Sequence, residues 1–522
     1  MKKLLLITIF AFFFIAKPAF AALPATGVIE IRSSATAGNL NGGGFNSARG
    51  GTDYTLQNAA QEGRADGASV TTSTTFTSAL ATFTDAMKGN YLHITTTGTG
   101  AQCIIGWYEV VSVTDADNVV LDRAPSAGTG CVAATWALGG ALSLGASGTS
   151  GDDDVFEMGV AGNQFWIKSA TYTMGEVISI STAGGASKPI RIDGYNSTRD
   201  DKPAGTNRPL IINGANAFTL AIAWFLSHVR TTATATIVVT TANGTVLNNV
   251  KVENISTSEG RSALNISGTD GSIINCEIIS YRGIGISGGG TGMFFGNYFH
   301  NSISGVRFAT GVLSSFSNNI VEGMSSSSIT FSGVNVSLTN VTGNTLYGSE
   351  NKLGFGVWMF SGTTDIRFLN NIVYGFVTGV HHQDTQSIGY DNYNDYYNNT
   401  NDVTSAGQWQ KGANSIAVNP SFTNVSQVTG TAGAFVAGNN KLVDTTKDFT
   451  AAGVVAGDAV LITAGTGAPN PLYYFLIDSI TTTTNANDTL NITIPAGPGT
   501  DTTADKVYQI TTGHNFLPTG GI

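Results

Sequence analysis

Five residues occupy the same position in a repeated strand-like segment, and several of them could contact a sugar. The segments are short apolar triplets that begin near residues 284, 306, 329, 357 and 380. If the first and third residues of a triplet face inward, the middle one faces solvent, because neighbouring side chains of a strand point to opposite faces. The pattern therefore predicts one exposed column of Gly285, Arg307, Thr330, Trp358 and His381.

This column has the chemistry of a carbohydrate contact. A Trp ring offers a flat apolar face to the C–H side of a pyranose, and an Arg guanidinium donates paired hydrogen bonds to hydroxyl or carboxylate oxygens. Tyr281 and Arg282, in the preceding turn, would add to the same face. The alternative is a plain solvated surface, since single exposed aromatic residues are common on any protein.

A second group of residue types could bind a metal. The densest acidic stretch of the repeat region contains His382, Asp384, Asp391 and Asp395, all of them competent ligands. No fixed ligand spacing joins them, so a polar surface turn is the favoured interpretation. The other acids between residues 250 and 384 are scattered singly over different repeats, and no carboxylate pair suited to glycoside hydrolysis is visible: Glu253, Glu259, Asp270, Glu277, Glu322, Glu350 and Asp365.

An asparagine recurs once per repeat and indicates how the repeats stack. It follows a Phe in segments such as Phe316-x-Asn318-x-Ile320, and the repeats are 21 to 26 residues long, about one coil of a parallel β-helix. Alternation predicts that these asparagines point into the coil, where amides stacked about 4.8 Å apart can hydrogen-bond to one another and to the backbone. We expect a structural ladder of Asn297, Asn318, Asn344, Asn370 and Asn394.

A weaker repeat brackets the coils. Gly89 and Ile94 reappear as Gly457 and Ile462 with one common offset of 368 residues. We therefore expect two copies of a small β-module, whose favoured role is to cap the ends of the coil stack and whose alternative role is ligand binding. The predicted organisation is a signal peptide at 1–21, a lead segment at 22–60, a module at 61–137, a parallel β-helix at 138–425 and the second module at 426–522.

The first residues predict export. Lys2 and Lys3 precede an apolar run that ends near Ile15, and Ala19-Phe20-Ala21 has the small residues of a cleavage site. The run is too short to span a membrane, for which about 20 apolar residues are needed. We expect a secreted, periplasmic or cell-surface protein with no membrane span after cleavage.

Composition limits the classes of partner that we expect and the oxidation state that we expect for the cysteines. The net charge is −10, which argues against nucleic acid as a partner. Only 11% of the residues are charged, so neutral polar residues cover much of the surface. Of the three cysteines, Cys103 and Cys131 are candidates for a disulfide in an oxidising compartment, and Cys276 is expected to be a small buried apolar residue.

Three segments and the asparagine-bearing coils carry a family resemblance. The segments are Phe165 to Tyr172 (FWIKSATY), Lys188 to Tyr195 (KPIRIDGY) and Arg208 to Ile212. Over roughly residues 155–425 they resemble right-handed parallel β-helix proteins of the pectate-lyase-like superfamily. The resemblance implies an all-β fold, a right-handed parallel β-helix (solenoid) flanked by the two small related β-modules. It is not specific for activity, since the superfamily includes lyases, hydrolases, epimerases, phage tailspikes and adhesins.

The sequence thus predicts an exported β-helix protein that binds polysaccharide along the side of the solenoid, with non-catalytic binding or adhesion favoured because neutral polar residues fill most outward positions. The alternatives are a polysaccharide lyase or glycoside hydrolase acting on a cell-wall or capsular glycan, and a phage-type tail or surface appendage protein. For a lyase, the resemblance implies Ca²⁺ held by acidic residues and an Arg or Lys base. The sequence leaves open whether the protein forms a homo-oligomer.

Overall fold

The structure is a computed structural model of the chain. The residues that it describes are 23–24, 27–36, 39–126, 130–144, 154–157, 159–174, 178–179, 183–185, 187–213, 218–234, 237–256, 258–288, 292–308, 315–332, 340–349, 352–360, 366–383, 389–406, 409–422, 426–436, 440–466, 473–482, 488–493 and 502–512. The predicted signal peptide lies outside them.

Nearly all regular structure in these residues is β-strand, which confirms the predicted fold class. The exceptions among them are one α-helical turn, Asp154–Glu157, and the 3₁₀ turns Ser47–Arg49, Tyr54–Leu56, Asp85–Met87, Thr99–Ala101 and Gly205–Asn207. Within the described part of the chain, no helix is long and apolar enough to cross a membrane. The chain divides into two compact units, one of Met1–Gly27 and Ala35–Leu142 and the other of Val28–Ser34 and Ser143–Ile522.

The first unit is built on a closed six-stranded antiparallel barrel. Going round the barrel, the strands are Glu62–Ser69, Thr75–Thr77, Asn118–Leu121, Gly106–Val113, Tyr91–Ile94 and Cys131–Leu138. Alternate residues of these strands point inward and pack round Trp136, whose ring contacts Phe76 edge-on with 5.6 Å between centroids. A disulfide joins Cys103 to Cys131 beside this core.

The second unit contains a parallel β-solenoid in which each coil contributes one strand to each of three sheets. The first sheet consists of Val28–Ile31, Gln164–Lys168, Ile190–Tyr195, Trp224–Ser227, Val246–Asn248, Gly271–Ile274, Gly292–Phe295, Ser315–Ser317, Asn340–Thr342, Ile366–Leu369 and Gly389–Asn392. The second sheet consists of Thr171–Met174, Leu210–Asn213, Arg230–Ala233, Lys251–Asn254, Glu277–Ser280, Tyr298–His300, Ile320–Glu322, Thr345–Tyr347, Ile372–Tyr374 and Asp395–Tyr397. The third sheet consists of Ile178–Ser179, Phe218–Leu220, Ile237–Thr241, Arg261–Ile266, Gly283–Gly288, Ser304–Phe308, Ser327–Phe331, Phe355–Met359, Thr378–His382 and Asn401–Ser405.

The bend between the first and second sheets corrects the predicted asparagine ladder. Each bend consists of one residue with positive φ, which is outward, followed by one inward residue. Asn318 and Asn370 are the positive-φ residues of their coils, at 54° and 55°, and both are exposed. The inward positions belong to their neighbours Asn319 and Asn371, each 1% exposed. The residue with positive φ is an extra residue between the two strands, so the inward and outward alternation of the first strand does not continue into the second.

The observed ladder therefore consists of Asn297, Asn319, Asn344, Asn371 and Asn394. In its middle, Asn344 accepts bonds at Oδ1 from the backbone N–H and the amide of Asn319, at 2.9 and 3.1 Å. Its Nδ2 donates to Oδ1 of Asn371 at 2.9 Å and to the carbonyl of Phe316 at 2.8 Å. Each buried amide thus satisfies the backbone of the coil before it and is satisfied by the coil after it, which removes the cost of burying it.

A buried aspartate closes the last coil. Asp391 accepts hydrogen bonds from Nδ2 of Asn394 at 2.8 Å, from Nε1 of Trp409 at 3.2 Å, from Oγ of Ser415 at 3.2 Å and from the hydroxyl of Tyr396. Trp409 is 2% exposed and covers the core residues of this coil. The carboxylate therefore stabilises the end of the ladder.

The second barrel has the same strand order as the first. Its strands are Ser426–Phe435, Lys441–Val443, Thr489–Thr493, Tyr474–Thr481, Ala459–Ala464 and Lys506–Thr512. It packs against the flank of the middle coils, where Ala459, Leu461 and Tyr474 form one apolar cluster with Ile279 and Tyr281. The favoured expectation that this module caps the end of the stack is therefore wrong, because its apolar outer face meets the side of the coils.

Both barrels bury the same outer face. Leu461 pairs with Tyr474 in the second barrel, and His93 pairs with Trp107 in the first; the two pairs are offset by 368 and 367 residues. In the first barrel this face is covered by the lead segment: Trp107 donates from Nε1 to the carbonyl of Asn41 at 3.3 Å. Burial lowers the pKa of His93, which stacks on Trp107, to about 4, so the covered face is neutral at pH 7.

Replacement of Asn319 by Ala should lower the free energy of unfolding by about 3 kcal/mol or more. It removes the two hydrogen bonds that Asn319 accepts from Asn297 and the two that it donates, to the carbonyl of Phe294 and to Oδ1 of Asn344. The matched control is Asn318→Gly, which should change stability by less than about 1 kcal/mol because glycine accepts the positive φ. Urea unfolding followed by tryptophan fluorescence measures both. Equal destabilisation by the two variants would contradict the observed register.

Candidate functional site

The outward face of the third sheet carries the predicted column, but Thr330, which was expected to be exposed, is buried. Strand register pairs Arg307 with Thr330, Thr330 with Trp358, and Trp358 with His381, on four successive coils. In the coil before, the partner of Arg307 is Ser287. Gly285 was expected at this position, but it lies two residues earlier, where a Cβ would point at the core residues Ile278 and Phe299.

Close packing of the strand on the core explains this shift. At Gly305 a Cβ would lie 2.6 Å from the carbonyl of Ser328 and 2.8 Å from Val321, and Gly356 is equally close to its neighbours. Because a Cβ at these positions would collide with the next strand and with the core, only glycine fits, and the strict alternation of side chains is interrupted there. As a result, Ser304 and Arg307, three residues apart, line one face of the coils together.

A groove runs between the two outward columns of this sheet. It consists of two adjoining cavities of about 370 and 280 Å³ that share Gly260, Ile284 and Arg307. Its lining residues are neutral except for the arginine: Ile237, Gly260, Ser262, Gly283, Ile284, Ser287, Gly288, Ile303, Ser304, Arg307, Ser327, Thr330, Trp358 and Phe360. Arg307 is exposed, and its Nε donates to Oγ of Ser332 at 2.9 Å, which fixes the side chain along the sheet.

An aromatic cluster forms the C-terminal end of this groove. Trp358 lies between Phe355 and Phe360, with ring centroids 5.1 and 4.4 Å away. Phe355 also stacks on His381 at 4.7 Å. Burial lowers the pKa of His381, whose Nδ1 is 2.7 Å from Oγ1 of Thr404, so the cluster is uncharged at neutral pH. It provides an apolar surface of the kind that sugar rings stack on.

Two residues predicted to extend this face lie elsewhere. Tyr281 is 5% exposed, packs against the second barrel and donates from its hydroxyl to Glu253 at 2.8 Å. The Arg282 guanidinium lies 4.7 Å from the ring centroid of Tyr473 of that barrel. Both residues therefore hold the barrel on the coils, because the barrel occupies the turn that the sequence placed in solvent.

The acids that look scattered in the sequence gather on the second sheet. Glu277 lies 3.1 Å from Nζ of Lys251 and 3.2 Å from Nε2 of His300, and Lys251 is 3.9 Å from Glu253. One coil further, the hydroxyl of Tyr298 donates to Glu322. Register explains the grouping, because residues 21 to 26 apart along the chain become neighbours in adjacent strands.

This cluster has the contacts of an ion-pair network. Burial acts to raise the pKa of Glu277, but the hydrogen bond and charge of His300 and the charge of Lys251 outweigh it and hold the pKa well below the ordinary value. Glu277 is therefore ionised at neutral pH and cannot be the protonated acid that glycoside hydrolysis requires. Burial and the charge of Glu322 raise the pKa of Tyr298, which keeps its hydroxyl protonated.

The described members of the predicted metal site do not form a ligand cluster. His382 points into the coil beside Trp409, Asp391 closes the ladder, and Asp395 lies on the outside of the second sheet, where it accepts a bond from the backbone of Val418 at 2.9 Å. Asp384 lies outside the described residues. Among the residues that are described, no group of three or more His, Cys, Asp or Glu side chains could hold a metal ion. His382 and Asp391 lie inside the coil on either side of Trp409, whereas Asp395 lies outside it.

Sequence reasoning missed the second outward column of the groove. It contains Ser304, Ser327 and Phe355, and the Oγ atoms of Ser304 and Ser327 are 3.0 Å apart. A glycine follows the column residue in most of these strands, as Gly305, Gly356 and Gly379 do, and this was the available signal. A strict alternation cannot detect it, because the two columns are three residues apart.

No protein-family model matches this chain, and no curated protein matches it in sequence. Among solved structures, an alginate lyase from Paenibacillus sp. str. FPU-7 has 14% identity over 49% of this chain and 92% of its own, with a TM-score of 0.33. The Dettilon tailspike protein has 12% identity over 67% and 87%, with a TM-score of 0.30. The surface adhesin PfbA of Streptococcus pneumoniae has 11% identity over 49% and 89%, with a TM-score of 0.31. Likenesses this low carry no functional argument, and superfamily membership stays a prediction.

Replacement of Glu277 by Gln should lower stability at pH 7 by about 1 kcal/mol, a value kept small because the side chain is 32% exposed and solvent screens its partners. The folded-state pKa lies below the ordinary 4.5, so the contribution is complete above about pH 4.5 and is lost as the pH falls through the folded-state value. Melting temperatures between pH 7 and pH 3 should therefore fall less steeply in the variant. The exposed Asp117→Asn is the control, and an unchanged slope in Glu277→Gln would refute the network.

Proposed function

We propose that this chain is an exported β-helix protein that binds a polysaccharide along the outer face of the third sheet without cleaving it. One observation carries the proposal: the register places Arg307, Thr330, Trp358 and His381 in one column beside a continuous groove. The column combines a hydrogen-bonding cation with an aromatic surface, the two features that sugar recognition uses.

The dimensions of the groove favour a chain-like ligand. Its lining extends over six strands, from Ile237 to Trp358 and Phe360, a length of about 24 Å at 4.8 Å per coil. Hydroxyl groups of Ser304, Ser327 and Thr330 line its middle, and Oγ of Ser327 is 2.6 Å from Oγ1 of Thr330. All three side chains are buried and hydrogen-bond to one another, so the groove leaves its sugar contacts to Arg307 and the aromatic cluster. A long, shallow and mostly neutral groove suits a polysaccharide better than a compact small molecule.

Export and location form part of the proposal. The signal peptide predicted at 1–21 leads the chain out of the cytoplasm, and the Cys103–Cys131 disulfide is of the kind that persists in oxidising compartments. The groove would then meet glycans outside the cell, as a secreted, periplasmic or surface protein. A phage-type appendage would use the same groove in the same way.

Trp358→Ala should weaken polysaccharide binding at least about tenfold, because it removes the centre of the aromatic cluster. Binding is measured first on an array of neutral and acidic polysaccharides and then by calorimetry with the best ligand. Tyr390→Ala is the matched control, since Tyr390 is an aromatic residue 57% exposed on the first sheet. Equal losses in both variants, or no binding by the unaltered protein, would remove the basis for the proposal.

Glycan cleavage is the second candidate function, and the carboxylates of Glu253 and Glu277 favour it. Both lie within 3.9 Å of Nζ of Lys251, so their nearest oxygens are at most about 7 Å apart, within the range of glycosidase carboxylates. Glu277, held ionised by His300 and Lys251, could act as the base or nucleophile of such a pair but not as its acid.

Incubation of the array polysaccharides with the protein, followed by assays for reducing ends and for unsaturated products, tests this. Products that disappear with Glu277→Gln but persist with Trp358→Ala would establish an enzyme whose site is on the second sheet and overturn the non-catalytic proposal.

A further inference from the structure

Charge is distributed unevenly over the outside of the coils. The chain has 35 acidic residues against 25 Lys and Arg, yet the two outward columns of the third sheet contain no Asp or Glu among the described residues. One column is Thr219, Thr240, Asn265, Ser287, Arg307, Thr330, Trp358, His381 and Thr404, and the other is Ile237, Ser262, Ile284, Ser304, Ser327, Phe355, Thr378 and Asn401. Acids occur instead on the second sheet, as in the Glu277 cluster. Asp402, on the last strand of the third sheet, is paired with Lys411.

Arg307 has no carboxylate partner among the described residues of this neutral surrounding. Its contact at Nε is the neutral hydroxyl of Ser332, and no carboxylate lies within ion-pair distance of it in the described part of the chain. Lys251 and Lys411, by contrast, each lie beside a carboxylate. Arg307 stands where the two cavities of the groove join, so its terminal N–H groups face a ligand at mid-length. A planar guanidinium donates paired bonds to a planar or tetrahedral anion.

Among the described residues that line the groove, Arg307 is the one charged side chain. Along the groove's described lining, the other polar side chains are Ser and Thr hydroxyls, and His381 beyond them is neutral because burial lowers its pKa. A polymer with an anion on every sugar would place several charges in the groove opposite neutral groups, where each loses water without gaining a cation. A polymer with one anionic sugar among neutral ones avoids that cost.

The distance between Arg307 and Trp358 indicates which sugars of a bound glycan would contact them. Arg307 and Trp358 are two coils apart, about 9.6 Å, or roughly two pyranose residues along an extended glycan. On the basis of the proposed function, we infer that the groove selects a heteropolysaccharide with isolated anionic sugars: the carboxylate or sulfate of one sugar binds Arg307, and a neutral sugar about two residues away stacks on Trp358.

The test uses four oligosaccharide probes of equal length: one carrying a single hexuronate among neutral hexoses, its carboxyl-reduced form, the neutral chain with a single sulfate ester, and an oligohexuronate. Calorimetry should show at least about tenfold tighter binding of a singly charged probe than of the neutral one, as charge-assisted bonds to one guanidinium supply. The oligohexuronate should bind more weakly than the best singly charged probe. Whichever singly charged probe binds more tightly identifies the anionic group.

The variant Arg307→Gln should abolish the preference for charge, so that the singly charged and neutral probes bind equally, and added salt should reduce the preference in the unaltered protein. Arg367→Gln, an exposed arginine on the first sheet, is the control and should change nothing. Equal binding of charged and neutral probes, or tightest binding of the oligohexuronate, would overturn the inference and leave the proposed function intact. Failure of every probe, including the neutral one, would count against the proposed function itself.

Discussion

The bend between the first and second sheets is the constraint on which the coils depend. One residue must adopt positive φ there, and the next residue must fill the interior. In the middle coils that interior residue is an asparagine whose amide bonds the backbone of the preceding coil and the asparagine amide of the following one. Because the bend consumes one residue, it fixes the phase of the second strand relative to the first.

The same bend accounts for residues that appear to be ladder members and are not. Asn318 adopts positive φ and projects its amide over the following bend, where a Cβ on Gly343 would lie 2.5 Å from its Oδ1. Asparagine tolerates the left-handed region better than most residues, so the same residue type can occupy both the positive-φ position of the bend and the neighbouring ladder position. The doublets Asn318-Asn319 and Asn370-Asn371 combine both purposes, with the first member in the bend and the second in the ladder.

The two barrels show how one module can be used twice. Both present the outer face of the same two strands, and in both this face is buried, beneath the lead segment in the first barrel and against the flank of the coils in the second. Tyr474 and Trp107 occupy equivalent positions and both supply polar hydrogens to carbonyl groups. The module is therefore a docking element, and in the second unit its position beside Tyr281 and Arg282 separates the acid cluster of the second sheet from the open groove of the third.

Local periodicity was enough to predict the repeat length, the all-β solenoid, the relation between the two modules, and the alignment of Arg307, Thr330, Trp358 and His381, since side chains alternate within a strand and coils repeat at a nearly constant length. The folded chain was needed to show that Asn319 and Asn371 form the ladder, that Ser287 takes the place of Gly285, that the acids gather round His300 and that Tyr281 is covered. Each of these depends on a bend, a bulge or a docked module that shifts register between strands, and a register is set by contacts between residues more than twenty positions apart.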